Sequence, residues 1–128
     1  MTLIFKAKQT IEFIGDSITD CGRREPLFAP LGDGYVRIIH DLLQAGYPEL
    51  NLSVTNKGIS GDTVLDLQAR WKTNVLQVNP DWLFIYIGIN DVWRFFDGDP
   101  VEAVALAEFS KTYQQIIKSA QSSNSAQI

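Results

Sequence analysis

Trp82-Leu83-Phe84-Ile85-Tyr86-Ile87 is the longest apolar run in the chain, and Gly88-Ile89-Asn90-Asp91 follows it at once. Six apolar residues without polar alternation predict a parallel strand covered by helices on both faces. The run is far too short to span a bilayer. Gly88 ends it, which places the small polar residues behind it at the carboxyl end of a strand.

Working outward, the same grammar recurs. Ile11-Glu12-Phe13-Ile14 reads as a short strand that stops at Gly15, and Leu52-Ser53-Val54-Thr55 as another that runs into Asn56-Lys57-Gly58. Between them, Asp16 to Gly34 is rich in Gly, Pro and Asp and reads as one long loop. Tyr35, Ile38, Ile39 and Leu42 then recur at helical spacing, with Asp33 placed to cap the helix and Gly46 with Pro48 to end it. Val64, Leu67, Trp71, Val75 and Val78 mark a second helix, closed by Pro80. A third is expected from Asp99-Pro100-Val101-Glu102, a capping carboxylate followed by a first-turn proline. Its apolar face is Val101, Ala105, Phe109, Tyr113, Ile116 and Ala120. Residues 121–128 read as a frayed end. Strand and helix alternate three times, which predicts an α/β fold with a parallel sheet.

The 128 residues are 45% hydrophobic, enough for one core and one domain. The net charge of −4 and the scatter of the 11 basic residues, of which only Arg23 and Arg24 are adjacent, argue against nucleic acid as partner. A lone cysteine, Cys21, excludes an internal disulfide and fits a reducing compartment. Met1 to Thr10 carries neither a long apolar run nor a small-residue cleavage site. With no leader and no membrane segment read, a cytoplasmic location is expected.

Three small-polar clusters fall at carboxyl ends of predicted strands: Gly15-Asp16-Ser17-Ile18-Thr19, Gly58-Ile59-Ser60-Gly61-Asp62 and Gly88-Ile89-Asn90-Asp91. In a doubly wound sheet such loops face one crevice. Acyl transfer needs a nucleophile, a base and donors aimed at the oxyanion. Ser17 sits where a strand turns into a loop. Gly58 lets a backbone N–H approach a ligand. Asn90 carries a side-chain donor. Each also has a plain reading: Ser17 as a loop or capping serine, Gly58 as a turn glycine, Asn90 as a turn or cap residue. Asp16 and Asp91 read as supports that bond loop amides. Cys21 has no base partner in view. Arg23, Arg24, Trp93 and Arg94 are candidates to line a substrate mouth; the arginines read equally as a solvated loop, and Trp93 as a side chain packed under the site. No metal-ligand cluster is visible, and serine chemistry calls for no cofactor.

The three clusters, taken in order, resemble the first three blocks of the SGNH (GDSL-type) hydrolases over about residues 10–120. The wider phrases Gly15-Asp16-Ser17-Ile18-Thr19-Asp20-Cys21-Gly22, Asn56-Lys57-Gly58-Ile59-Ser60-Gly61 and Ile87-Gly88-Ile89-Asn90-Asp91-Val92-Trp93-Arg94 are similar to the bacterial carbohydrate acetyl-esterase branch, acetylxylan esterases included. The resemblance implies a three-layer, flavodoxin-like SGNH hydrolase sheet. It makes Ser17 the nucleophile and oxyanion amide, Gly58 a second oxyanion amide and Asn90 the oxyanion side chain. The implied substrate is a small ester, such as an acetylated sugar, with neither nucleic acid nor membrane as partner.

The family's last block, Asp-x-x-His, has no counterpart here. The only histidine, His40, lies within the first predicted helix and is preceded three residues earlier by Arg37. The expectation is therefore a single SGNH domain over residues 1–128, carboxyl-terminally truncated to about three strands and three helices and inactive alone. Truncation is expected to leave the Trp82–Ile87 edge open, so a homo-oligomer through that sheet edge is expected. Two other readings stand beside this one. A non-catalytic flavodoxin-like module would offer the Asp16–Thr19 loop to a ligand or phosphate, although Asp16 repels an anion there. A purely self-associating fragment would use only the open edge.

Overall fold

The computed structural model describes residues 3–97, 102–123 and 127–128. Three parallel strands, β1 (Thr10–Gly15), β2 (Ser53–Gly58) and β3 (Trp82–Tyr86), form one sheet in the order β2-β1-β3. The central strand β1 is buried on both sides. Its alternation sends Ile11 and Phe13 to one face and Glu12 and Ile14 to the other. Helix α2 (Tyr35–Gly46) covers the first face through Val36 and Leu43. On the second face lie α3 (Val64–Trp71), its continuation as a π-helical turn (Lys72–Leu76), and α5 (Leu106–Ser123). Val64, Leu67, Trp71, Val75, Ile116 and Ala120 pack there against Ile14 and Leu83. This is the parallel α/β order expected from the alternation of elements, in the three layers that the family resemblance implies.

Register positions the site. Gly15 lies level with Gly58 on one side and with Tyr86 on the other, so the three strands end on one rim. Gly15 has to be glycine at this crowded point, since a Cβ would sit 2.0 Å from the Tyr86 carbonyl oxygen.

Several expectations are corrected. Residues of the Asp16–Gly34 loop form a short helix, α1 (Ser17–Asp20), and a further helix, α4 (Ile89–Phe96), follows β3. The cap of α2 is Gly34, with no side-chain hydrogen bond; Asp33 instead donates its amide to the Cys21 carbonyl. Asp99, Pro100 and Val101 lie outside the described residues. Glu102 to Ala105 are not helical, because Val104 is buried in the core and its amide donates to the Asp91 carbonyl; α5 starts only at Leu106.

The strand β3 is not covered on both faces. Leu83 faces α3 and α5, but Phe84 and Tyr86 on the other face are 39% and 54% exposed. An open apolar groove of about 410 Å³ runs there, lined by Phe5, Phe13, Tyr35, Ile39, Phe84 and Tyr86. At the start of the outer edge, Gln127 accepts from the Leu83 amide and donates to the Asp81 carbonyl, both at 2.9 Å. Past that bridge no described strand pairs with the outer edge of β3.

Candidate active site

Ser17 is the first residue of α1, directly beyond β1. Asp16 caps this helix, accepting from the Ile18 amide at 3.0 Å, and is 1% exposed. Burial pushes its carboxyl up from the usual carboxylate range, and the hydrogen bond from Ile18 pulls it back. The cap turns the chain sharply, so that Asp16 points inward and Ser17 is exposed. Among the described residues the Ser17 hydroxyl has no hydrogen-bond partner.

The second cluster departs from the expected role of Gly58. Its amide donates to Asn56 Oδ1 at 2.8 Å and its carbonyl accepts from Arg23 Nε at 2.5 Å. It is buried, and a Cβ here would meet the Asp20 amide nitrogen at 2.2 Å. Gly58 is the place where α1 packs on β2, and its N–H is already satisfied, so it does not face the crevice as a donor. Gly61 differs on each count. Its φ is +89°, a Cβ would meet nothing nearer than Arg94 at 3.7 Å, and no described residue accepts from its N–H. The loop around it is tied down. Ser60 donates its amide and hydroxyl to Asp20 Oδ2 at 3.0 and 3.1 Å, and Arg94 Nη2 donates to the Gly61 carbonyl at 2.6 Å.

The third cluster grips the same loop. Asn90, half-buried on α4, donates from Nδ2 to the Asp62 carbonyl at 2.9 Å. That uses one of its two amide hydrogens. Asp91 is 2% exposed and accepts from the Val64 amide at 3.0 and 3.2 Å, capping α3 from across the rim. Burial pushes the Asp91 carboxyl up, opposed by the Val64 hydrogen bond.

The remaining candidates are not gathered here. His40 lies on α2 and bonds the neighbouring Asp41 at 2.8 Å. It is five residues beyond Tyr35, whose hydroxyl contacts Thr19 beneath the rim, and so roughly 7 Å farther along the helix. Cys21 is half-buried at the end of α1. Arg23 and Arg94 hold loop carbonyls, while Trp93 is 57% exposed beside the site. Three groups escaped the sequence reading: Gly61, Asn56 and Arg70. Asn56 is 5% exposed and donates to the Thr19 and Leu31 carbonyls, knotting the long loop to β2. Among the described residues no cluster of three metal-ligating side chains occurs, and no helix is long and apolar enough to cross a membrane.

Residues 13–128 match the GDSL-like lipase/acylhydrolase family. The chain belongs to this family. It is 61% identical over 89 residues to an acetylxylan esterase of Geobacillus stearothermophilus, covering 66% of this chain and 41% of that one. The crystal structure of an acetylxylan esterase from the same organism superposes with a TM-score of 0.89 at 45% identity, over 96% of this chain and 59% of the other. An alpha/beta hydrolase enzyme from the metagenome of Lake Arreo, Spain, superposes with a TM-score of 0.86 at 39% identity, over 94% and 58% of the two chains. This GDSL-like chain thus carries the SGNH hydrolase fold and spans about three-fifths of the solved relatives' length.

Proposed function

We propose that the protein is a serine ester hydrolase that releases short acyl groups, acetyl in particular, from a carbohydrate ester. One observation carries the reading: the exposed, unpartnered Ser17 hydroxyl shares a rim with the Asn90 amide and the free Gly61 N–H. Ser17 Oγ attacks the acyl carbonyl as its proton passes to a base. The oxyanion that forms receives hydrogen bonds from the second Asn90 amide hydrogen and from the Ser17 and Gly61 backbone amides. Collapse breaks the ester C–O bond, and the leaving sugar oxygen takes the proton back from the base to depart as a hydroxyl. Water then releases the acyl group from Ser17 by the same steps.

His40 does not serve as that base, because it sits on α2 paired with Asp41. The base comes from outside these 128 residues, so the chain by itself turns over little ester. Acetylated xylan or a similar polymer is the substrate favoured by the resemblance to the acetylxylan esterase of Geobacillus stearothermophilus, in sequence and in fold. The reading includes a cytoplasmic location and no dedicated cofactor.

The test is p-nitrophenyl acetate hydrolysis by the chain and by Ser17→Ala, each with and without millimolar imidazole as an added base. The expected result is equality without imidazole and a Ser17-dependent excess with it. No excess at any imidazole concentration, with both proteins folded, overturns the reading. A second reading, self-association through β3, draws on its open outer edge and on the exposure of Phe84 and Tyr86.

A further inference from the structure

Arg70 lies on the last turn of α3 and is not among the residues named in the reaction. Its side chain is only 15% exposed, and its guanidinium reaches three separate parts of the rim. Nε donates to Asp62 Oδ2 at 2.7 Å, Nη1 to the Lys57 carbonyl at 2.7 Å and Nη2 to the Gly15 carbonyl at 3.1 Å. A longer contact of 3.4 Å joins Nη1 to Asn74. Gly15 is the last residue of β1, two before Ser17. Lys57 is next to last in β2, just ahead of the Ile59–Asp62 loop. Asp62 ends that loop, and its own carbonyl is the acceptor of the Asn90 amide. One planar fork therefore holds the strand end that presents Ser17, the strand end that presents Gly61, and the residue that orients Asn90.

We infer that Arg70 is a positioning residue for the acyl-transfer site, setting the distances among Ser17, Gly61 and Asn90 without touching substrate. The fork geometry is what the role requires. Lysine keeps the charge opposite Asp62, but a compact ammonium cannot span three acceptors on three elements. Among the described residues Arg94 holds only the Gly61 carbonyl and the exposed Glu102, neither of them on β1, so it does not replace the link to β1.

For its catalytic meaning the inference rests on the hydrolase reading, but its test does not need turnover. Backbone and side-chain amide signals of the 15N-labelled 128-residue chain are compared with those of Arg70→Lys and Asp62→Asn. In Arg70→Lys, the signals of Ser17, Gly61 and the Asn90 side chain are expected to move, while Val36, Leu43 and Leu52 on the far face stay in place. In Asp62→Asn, Gly61 and Asn90 move and Ser17 does not, because the Gly15 contact is intact. Changes confined to residues 66–74 overturn the inference. If Arg70→Lys does not fold, Asp62→Asn decides alone, and unmoved Gly61 and Asn90 signals overturn it. With imidazole as base, kcat of Arg70→Lys is expected to fall about tenfold or more with KM within about twofold, the pattern of misplaced donors. If wild type shows no Ser17-dependent turnover, the hydrolase reading fails while the spectra still decide the place of Arg70.

Discussion

The amide of Asn90 and the carbonyl of Asp62 meet at 2.9 Å, joining the first turn of α4 to the loop after β2. The bond fixes the Asn90 rotamer and leaves its second N–H directed elsewhere. Asn90 is then a strut, and in the proposed reaction a donor as well; the two roles separate experimentally. Asn90→Ala is expected to lose roughly 1 kcal/mol of stability for the hydrogen bond. Ser17-dependent turnover, measured with imidazole, is expected to fall about 10²–10³-fold. A loss of turnover below tenfold in a folded variant removes Asn90 from the oxyanion site.

Gly58 and Gly61 make opposite demands. A methyl group on Gly58 collides with the Asp20 and Thr19 backbone at 2.2 and 2.6 Å, and neither can retreat without moving α1. Gly58→Ala is expected to cost about 3 kcal/mol or more, as an overpacked core does. At Gly61 there is room, and the cost is the positive φ alone, about 1–2 kcal/mol. Urea unfolding of both variants checks the order, and the reverse order contradicts this account of the two glycines.

Glu12 lies in the middle of β1, 1% exposed, and among the described residues neither carboxyl oxygen is in a well-formed hydrogen bond. Burial raises its pKa from 4.5 to about 7, and the charges of Lys57 and Arg70 and a weak interaction with the Thr55 hydroxyl recover only part of the shift. The folded state therefore holds the proton more tightly than the unfolded chain does. The stability this contributes is fully present below pH 4.5 and is lost as the pH rises to about 7. The loss is on the order of 3 kcal/mol. Wild type is expected to become less stable between pH 5 and pH 8 relative to Glu12→Gln. Parallel pH profiles for the two proteins contradict the assignment.

Asp91 carries a different burden. Its two oxygens accept from the Val64 amide, an otherwise orphan donor at the start of α3, where Thr63 and Asp66 already form a capping box. Asp91→Ala is expected to destabilise by about 2 kcal/mol, and Asp91→Asn by clearly less, since it keeps an acceptor. Thermal unfolding of the pair checks this, and equal losses indicate that the hydrogen bond is not what matters.

The open edge of β3 predicts association. Light scattering at high concentration is expected to show species larger than the monomer. Tyr86→Lys, which places a charge on the exposed face beside that edge, is expected to restore the monomer. A wild-type chain that stays monomeric rules out the self-association reading.

Much of the fold was legible because its signals are local. Trp82–Ile87 is an apolar run and Ile11–Ile14 a short strand interrupted only by Glu12, each ended by a glycine, and the helical spacing of Val64, Leu67 and Trp71 matches the face that α3 buries. The helix α4 was missed although Ile89, Val92, Trp93 and Phe96 recur at helical spacing, because the segment is short and starts inside the small-polar cluster that reads as a strand-end loop; the structure leaves that apolar stripe 50% to 80% exposed. The helical start expected at Asp99-Pro100 has good capping chemistry. Yet Val104 goes into the core, and that tertiary contact keeps Glu102–Ala105 out of the helix.

The site divides in the same way. From the sequence alone came the parallel α/β order, the gathering of Ser17, the Gly58–Asp62 loop and Asn90 at one rim, and the resemblance to the SGNH family, because strand ends and small polar residues are written in short stretches. Tertiary structure alone decided which glycine can donate and what holds the donors in place. Two glycines three residues apart look alike in sequence. They differ because Asn56 captures the amide of one, packed against α1, while no described residue accepts from the other, which has room around it and a positive φ. The fork of Arg70 joins carbonyls and a carboxylate 8, 13 and 55 residues away, and no local pattern records which distant acceptors a side chain will meet once the sheet has brought them together.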